Sequence, residues 1–221
     1  MKKGFLCVLL VCACVILSAC GANVGALMKE NMAELTKVYY YGEGEDVYAT
    51  LSSGEREENY LLDGCCGNVV GFALLVVKFE NNLQKNVLKA EVVIDGVGSQ
   101  IELELNENND SFMFDLEKIL TGNESVEVVV EGKKILLDAV SRNFVVDCED
   151  VIEIACNEFA DVLQSLTKSQ SLLCEGYLRV MDKKANNFSG VFWCFTLLDR
   201  NGNNLSAIIS TEDGSVLAKS M

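Results

Sequence analysis

From about residue 34 to residue 139, apolar and polar residues alternate with a period of two, and this pattern constrains the fold more than any other feature. Ile101-Glu102-Leu103-Glu104-Leu105 alternates residue by residue. Leu88, Ala90, Val92 and Ile94 share one face of the stretch 87–94, and Phe112, Phe114 and Leu116 share one face of another. Successive side chains of a strand point to opposite sides, so such stretches read as strands with one buried and one solvated face. Similar stretches lie at 34–41, 46–51, 56–62, 125–130 and 134–139, with 143–146 as a short last one; residues 69–79 form a long apolar run that suits a central strand. Gly42-Glu43-Gly44, Ser52-Ser53-Gly54 and Asp63-Gly64 punctuate them, and turn signals recur about every 8–12 residues. The pattern predicts an antiparallel β-sandwich over residues 35–146, of about seven to nine strands. It is Ig-like in architecture only, because no Cys–Trp–Cys spacing is present.

At Asp147 the period changes. Ile152, Ala155, Cys156, Phe159, Val162, Leu163 and Leu166 fall on one face at helical spacing, which predicts a helix from about 149 to 168. Asp150 and Glu153 have the spacing of a capping box. Strands are expected at 172–182, 190–199, 204–210 and 215–219, with Asn201-Gly202 and Asp213-Gly214 as hairpin turns. The fold class expected is thus mainly β with an α+β C-terminal unit, 147–221, in which one helix packs on a three- to four-stranded antiparallel meander. Val151-Ile152-Glu153-Ile154-Ala155, the strand 192–198 and the closing run Ala207-Ile208-Ile209-Ser210-Thr211-Glu212-Asp213-Gly214-Ser215-Val216-Leu217 resemble PepSY-like domains of exported bacterial proteins, which share the broader cystatin-like helix-plus-sheet shape. The resemblance implies protease inhibition or regulation of a partner outside the cell. No inhibitory residue carries over, because that family has no fixed motif for one.

The N-terminus reads as an address. Lys2 and Lys3 precede an unbroken apolar stretch at 5–16, and Leu17-Ser18-Ala19-Cys20 follows. Twelve apolar residues suit a secretory signal and fall short of the roughly 20 a membrane-spanning helix needs. The arrangement resembles the lipobox of bacterial lipoproteins. That resemblance implies cleavage between Ala19 and Cys20 and a diacylglycerol group on Cys20. The protein would then be anchored to the extracytoplasmic face of a bacterial membrane, with residues 21–34 as a tether. Each buried lipid methylene contributes about 0.8 kcal/mol to such an anchor. Loss of Lys2 and Lys3 takes the net charge from −15 to −17, so anionic headgroups would repel the protein and the lipid alone would hold it.

Composition removes several functions. The chain has no His, hence no Ser-His-Asp triad, Cys-His dyad or His-ligated metal. A charge of −15 opposes phosphate-mediated nucleic-acid binding. Neither a GxGxxG nor a GxxxxGK phosphate loop occurs. The run Asp199-Arg200-Asn201-Gly202-Asn203-Asn204 fails as a calcium loop, because an EF-hand needs Gly sixth and Glu twelfth and this chain has Asn204 and Ser210 there. No catalytic residue, metal ligand or cofactor site is assigned.

Two features stay open to function. Six of the 10 Cys lie beyond residue 20, and most sit on strand or helix patterns that favour buried thiols over disulfides. Cys65-Cys66, between Gly64 and Gly67, is the exception. It lacks the CxxC spacing of redox enzymes and reads as a turn with one thiol facing inward, metal capture or redox sensing being the functional alternative. In the strand 190–198, Val191, Trp193, Phe195 and Leu197 face one way and Phe192, Cys194 and Leu198 the other. Either the β-sandwich covers the second face, or a groove for a protein or ligand contains Trp193 together with Tyr177. The function expected is a non-enzymatic, lipid-anchored binding or regulatory protein that acts on a protein partner at the cell envelope. The alternatives are a ligand-capturing lipoprotein for a small molecule, cation or glycan, and a thiol redox protein using Cys65 and Cys66.

Overall fold

Strand β1 (Met32–Gly44) belongs to two structures at once, and the architecture follows from that. The computed structural model describes residues 24–59, 61, 64–81, 83–181, 184 and 190–220. A short helix, α1 (Val24–Glu30), leads into β1. Seven further strands follow: β2 (Val47–Glu57), β3 (Val69–Phe79), β4 (Val87–Ile94), β5 (Val97–Asn106), β6 (Ser111–Asp115), β7 (Val126–Val130) and β8 (Lys133–Ala139). Around the sheet the order is β1-β2-β3-β6-β5-β4-β7-β8, every pair antiparallel, and β8 returns to β1 through Tyr40↔Ala139 and Tyr41↔Asp138. That last pairing closes an eight-stranded barrel.

The chain then runs through α2 (Cys148–Glu158) and α3 (Ala160–Leu166). The small ladder β9 (Thr167–Lys168) and β10 (Ser171–Leu172) follows. The meander β11 (Cys174–Met181), β12 (Phe192–Asp199), β13 (Asn204–Ser210) and β14 (Val216–Ser220) completes the chain. Its inner strand β11 pairs parallel with the first half of β1, so all twelve large strands form one continuous sheet.

A bulge at Lys37 makes this double use possible. The register of β1 against β2 shifts between Thr36 and Val38. One inserted residue exchanges the two faces of a strand. Before the bulge Leu35 packs with the meander; after it Val38 and Tyr40 enter the barrel. Gly54 on β2 lies beside the bulge, where a Cβ would stand 1.9 Å from the Leu35 carbonyl oxygen.

Two apolar cores result. The barrel is filled by its own inward side chains, among them Leu51, Leu75, Val77, Leu88, Leu103, Phe112, Val128 and Ile135, as expected of eight strands whose interior holds side chains alone. The second core joins Met28 of α1, Val151, Ile152 and Ala155 of α2 and Phe159 just after it to Leu178, Trp193, Phe195 and Ile209 of the meander.

The expected sandwich followed by an α+β unit is therefore corrected to a closed barrel whose sheet continues into the meander. Alternation reports which face of a strand is buried and is the same in a sandwich and a barrel. What distinguishes them is the pairing of β8 with β1 across about a hundred residues. Smaller corrections share this local cause. The strand expected to begin at Arg56 is not separate: β2 runs through Ser52-Ser53-Gly54 to Glu57 without turning. Residues 143–146 form no strand and follow a 3-10 turn, Val140–Asn143. The helix is interrupted at Phe159, and Asp147, not Asp150, caps it by accepting from the amides of Glu149 and Asp150. Residues 24–33 are no loose tether, since Met28 and Ala33 are fully buried. The expected signal sequence, with Ala19 and Cys20, lies outside the described residues, as does most of 182–187. Among the described residues no helix is long and apolar enough to cross a membrane.

Candidate functional site

The connection from β2 to β3 carries Gly64-Cys65-Cys66-Gly67 onto the junction between barrel and meander. Three side chains hold its backbone amides. The Glu175 carboxylate accepts from Gly64 N–H at 2.7 Å, the Asn31 amide oxygen from Cys66 N–H at 3.2 Å, and the Glu57 carboxylate from Gly67 N–H at 2.6 Å. Asn31 sits in the turn between α1 and β1. It also donates to the carbonyls of Leu172 and Cys174, both at 3.0 Å, and of Gly64 at 3.4 Å. Three separate parts of the chain thereby fix one four-residue loop.

Two of these clamps are buried carboxylates, which is expensive unless their lone pairs are satisfied. Glu175 is 1 % exposed, and its second oxygen accepts from the Tyr177 hydroxyl at 2.7 Å. Glu57 is 2 % exposed, and its Oε2 is buried without a hydrogen-bond partner.

The two thiols of the loop face different surroundings. Cys66 is half-buried and directs its S–H to the Met32 carbonyl at 3.2 Å. Burial, and then the charges of Glu57 and Glu175, push its pKa up, which keeps it a thiol. Cys65 is exposed, and Nη2 of Arg200, from the β12–β13 turn, donates to its sulfur at 3.2 Å. No disulfide joins the six described Cys. Burial raises Cys148 and Cys194, lifts Cys156 to about 11 and lifts Cys174 to about 12. Among the described residues no three His, Cys, Asp or Glu side chains converge as a metal site.

The other sequence candidates separate. Trp193 is 1 % exposed, donates its indole N–H to the Val146 carbonyl at 2.9 Å and stands edge-on to Phe144. It is a core residue with no surface to offer a partner, so the expected interface is corrected at this position. Tyr177, 9 % exposed, faces the barrel side of β11 and carries the Arg179 guanidinium over its ring at 5.8 Å. Asp199 accepts from the amides of Asn201 and Asn203 in its own turn at 2.8 and 2.9 Å, an arrangement that hairpin geometry explains.

Where the meander leaves the barrel, the outer wall and β11 enclose an open groove. Its floor is Leu74, Val76 and Met113, with Phe72 buried at one end, and its rim carries Arg56 and Arg179. Arg56 pairs with Asp115 and lies over the Phe72 ring at 5.5 Å. Arg179 makes two hydrogen bonds to Glu34, at 2.7 and 2.5 Å. An apolar strip between paired guanidinium groups offers both contact area and planar hydrogen-bonding edges to a protein surface.

Sequence reasoning missed Asn31, Glu57, Glu175 and Arg200. One signal was present: Glu175 interrupts an otherwise uncharged stretch from Ser171 to Leu178, and a carboxylate placed in a buried strand requires donors. Comparison with protein-family models, curated proteins and solved structures found no match. The functional reading therefore rests on the residues themselves.

Proposed function

We propose that the chain is a lipid-anchored, extracytoplasmic binding or regulatory protein that acts through protein contacts and performs no catalysis of its own. The anchor is diacylglyceryl-Cys20, read from the lipobox resemblance of residues 1–20. The observation that carries the binding role is the groove on the outer wall, with the half-buried Leu74, Val76 and Met113 between Arg56 and Arg179. The barrel supports the same reading against capture of a small molecule in its interior, because its inward side chains already occupy that space.

The test uses the full-length chain in native envelopes, with a photo-crosslinking residue at Met113 or, as control, at Lys89 on another part of the barrel. A discrete protein adduct from position 113, absent from position 89, is the expected outcome. Equal labelling from both positions, or none from position 113, would sink the groove as an interface. For the anchor, Cys20→Ala is expected to abolish lipid labelling and membrane retention, and a variant that stays lipid-labelled refutes it.

A further inference from the structure

The geometry points to Cys65 as a modification site, where thiol–disulfide exchange with a small aliphatic disulfide leaves a stable mixed disulfide that Cys66 does not resolve. In the exchange the Cys65 thiolate attacks one sulfur of R–S–S–R. A Cys65–S–S–R bond forms, the original S–S bond breaks, and R–S⁻ leaves and takes up the proton that Cys65 gave to solvent. The small disulfide supplies the oxidising equivalents, so no further oxidant is needed.

Three observations combine. First, Cys65 is the exposed thiol among the six described, and a guanidinium N–H of Arg200 reaches its sulfur at 3.2 Å. Positive charge and access are what make a cysteine reactive. Second, Glu175, Asn31 and Glu57 hold the amides of Gly64, Cys66 and Gly67, so Cys65 is presented on a braced loop. The bracing comes at a cost in stability, since Glu57 Oε2 is left buried and unpartnered beneath that loop. Native structures keep few such groups, and each calls for a specific physical explanation. Third, Cys66 is withheld. Its S–H is tied to the Met32 carbonyl, and both buried carboxylates oppose its ionisation. Closing a Cys65–Cys66 disulfide would break that contact and strain an eight-membered ring. An adduct on Cys65 therefore persists, in contrast to a CxxC pair, where the second thiol expels it.

The experiment is incubation of the folded full-length chain with 2-hydroxyethyl disulfide, an acid quench, and fragment-ion mass spectrometry of the peptide containing both Cys. The expected result is one hydroxyethylthio group on Cys65, retained in Cys66→Ser, absent from that peptide in Cys65→Ser, and formed at least about three-fold more slowly in Arg200→Gln. Matching melting curves for the variants separate a chemical effect from misfolding. Loss of two hydrogens from the peptide (an internal Cys65–Cys66 disulfide), an adduct on Cys66, or an adduct formed only after unfolding would each overturn the proposal. None of these outcomes depends on the groove or the anchor, so this inference and the proposed function fail independently.

Discussion

The barrel and the meander region solve the same burial problem with different materials. The barrel core is aliphatic and aromatic, contains no Cys, and has closed its hydrogen-bonding edges on itself. The second core includes Cys156 and Cys174, and the fully buried carboxylates, Glu57 and Glu175, lie where the two regions meet. The reason lies in the backbone. β11 joins β1 through a short parallel register, Met32↔Gly176, Glu34↔Tyr177 and Leu35↔Leu178, whereas β1 and β2 pair along almost their whole length. A short ladder supplies few hydrogen bonds, and side chains supplement it: Asn31 to two carbonyls, Glu175 to Gly64, and Arg179 to Glu34. Polarity is thus concentrated at the seam between regions, and so is the site with chemical potential.

The strongest way to break this comparison is Trp193→Ala. Trp193 is the largest fully buried side chain, and truncation of a buried Trp costs about 3–5 kcal/mol. Because β1 serves both cores, the loss is expected to lower a single calorimetric transition that includes the barrel. Two separated endotherms would show instead that the barrel stands alone. A smaller effect is expected from Gly42→Ala at the barrel closure. A Cβ on Gly42 would lie 2.1 Å from the Leu136 carbonyl oxygen on β8, so β1 and β8 must move apart at a cost of about 1–3 kcal/mol. Urea unfolding measures it. An unchanged midpoint would mean that the β1–β8 contact does not hold the barrel closed.

Strand existence was largely legible, because period-two alternation is a local signal: 69–79 and 87–94 coincide with β3 and β4. Closure was not, since it depends on which strands meet, and Tyr40↔Ala139 leaves no trace in either segment alone. Gly54 shows how a local rule misleads. It reads as a turn after two Ser, yet it lies inside β2, where its missing side chain admits the Leu35 carbonyl at the bulge. The site was half visible. Cys65-Cys66 stands out between two Gly, but Asn31, Glu175 and Arg200 reach it from positions more than thirty residues away in sequence. Trp193 reads as a groove candidate for the opposite reason: its strand is apolar on both faces, and only the three-dimensional packing shows what covers it.

The smallest expected effect sharpens the comparison from the barrel side, where one polar pair touches the apolar core. Tyr40, fully buried, donates its hydroxyl to Glu124 Oε2 at 2.8 Å. Desolvation works against ionisation of Glu124. The amide and hydroxyl of Thr121 and the Tyr40 hydroxyl outweigh it and bring the carboxyl to about 2, from an ordinary 4.5. A carboxyl depressed by folding contributes stability that is fully present above its unfolded pKa and is lost as pH falls through the folded one. The window is therefore pH 4.5 down to 2. Glu124 is half-buried, and screening by the solvent it still meets reduces the contribution to about 1 kcal/mol. Tyr40 behaves oppositely: burial first, and then Glu124, raise its phenol above 10, so its contribution is complete below pH 10 and lost at higher pH. Glu124→Gln is expected to flatten the acid limb of stability between pH 4.5 and 2 while leaving most of the alkaline limb, because burial of Tyr40 persists. Tyr40→Phe is expected to flatten the alkaline limb and only part of the acid one. Denaturant midpoints measured across both limbs decide it, and an acid limb unchanged by Glu124→Gln would mean that the barrel's acid sensitivity arises elsewhere.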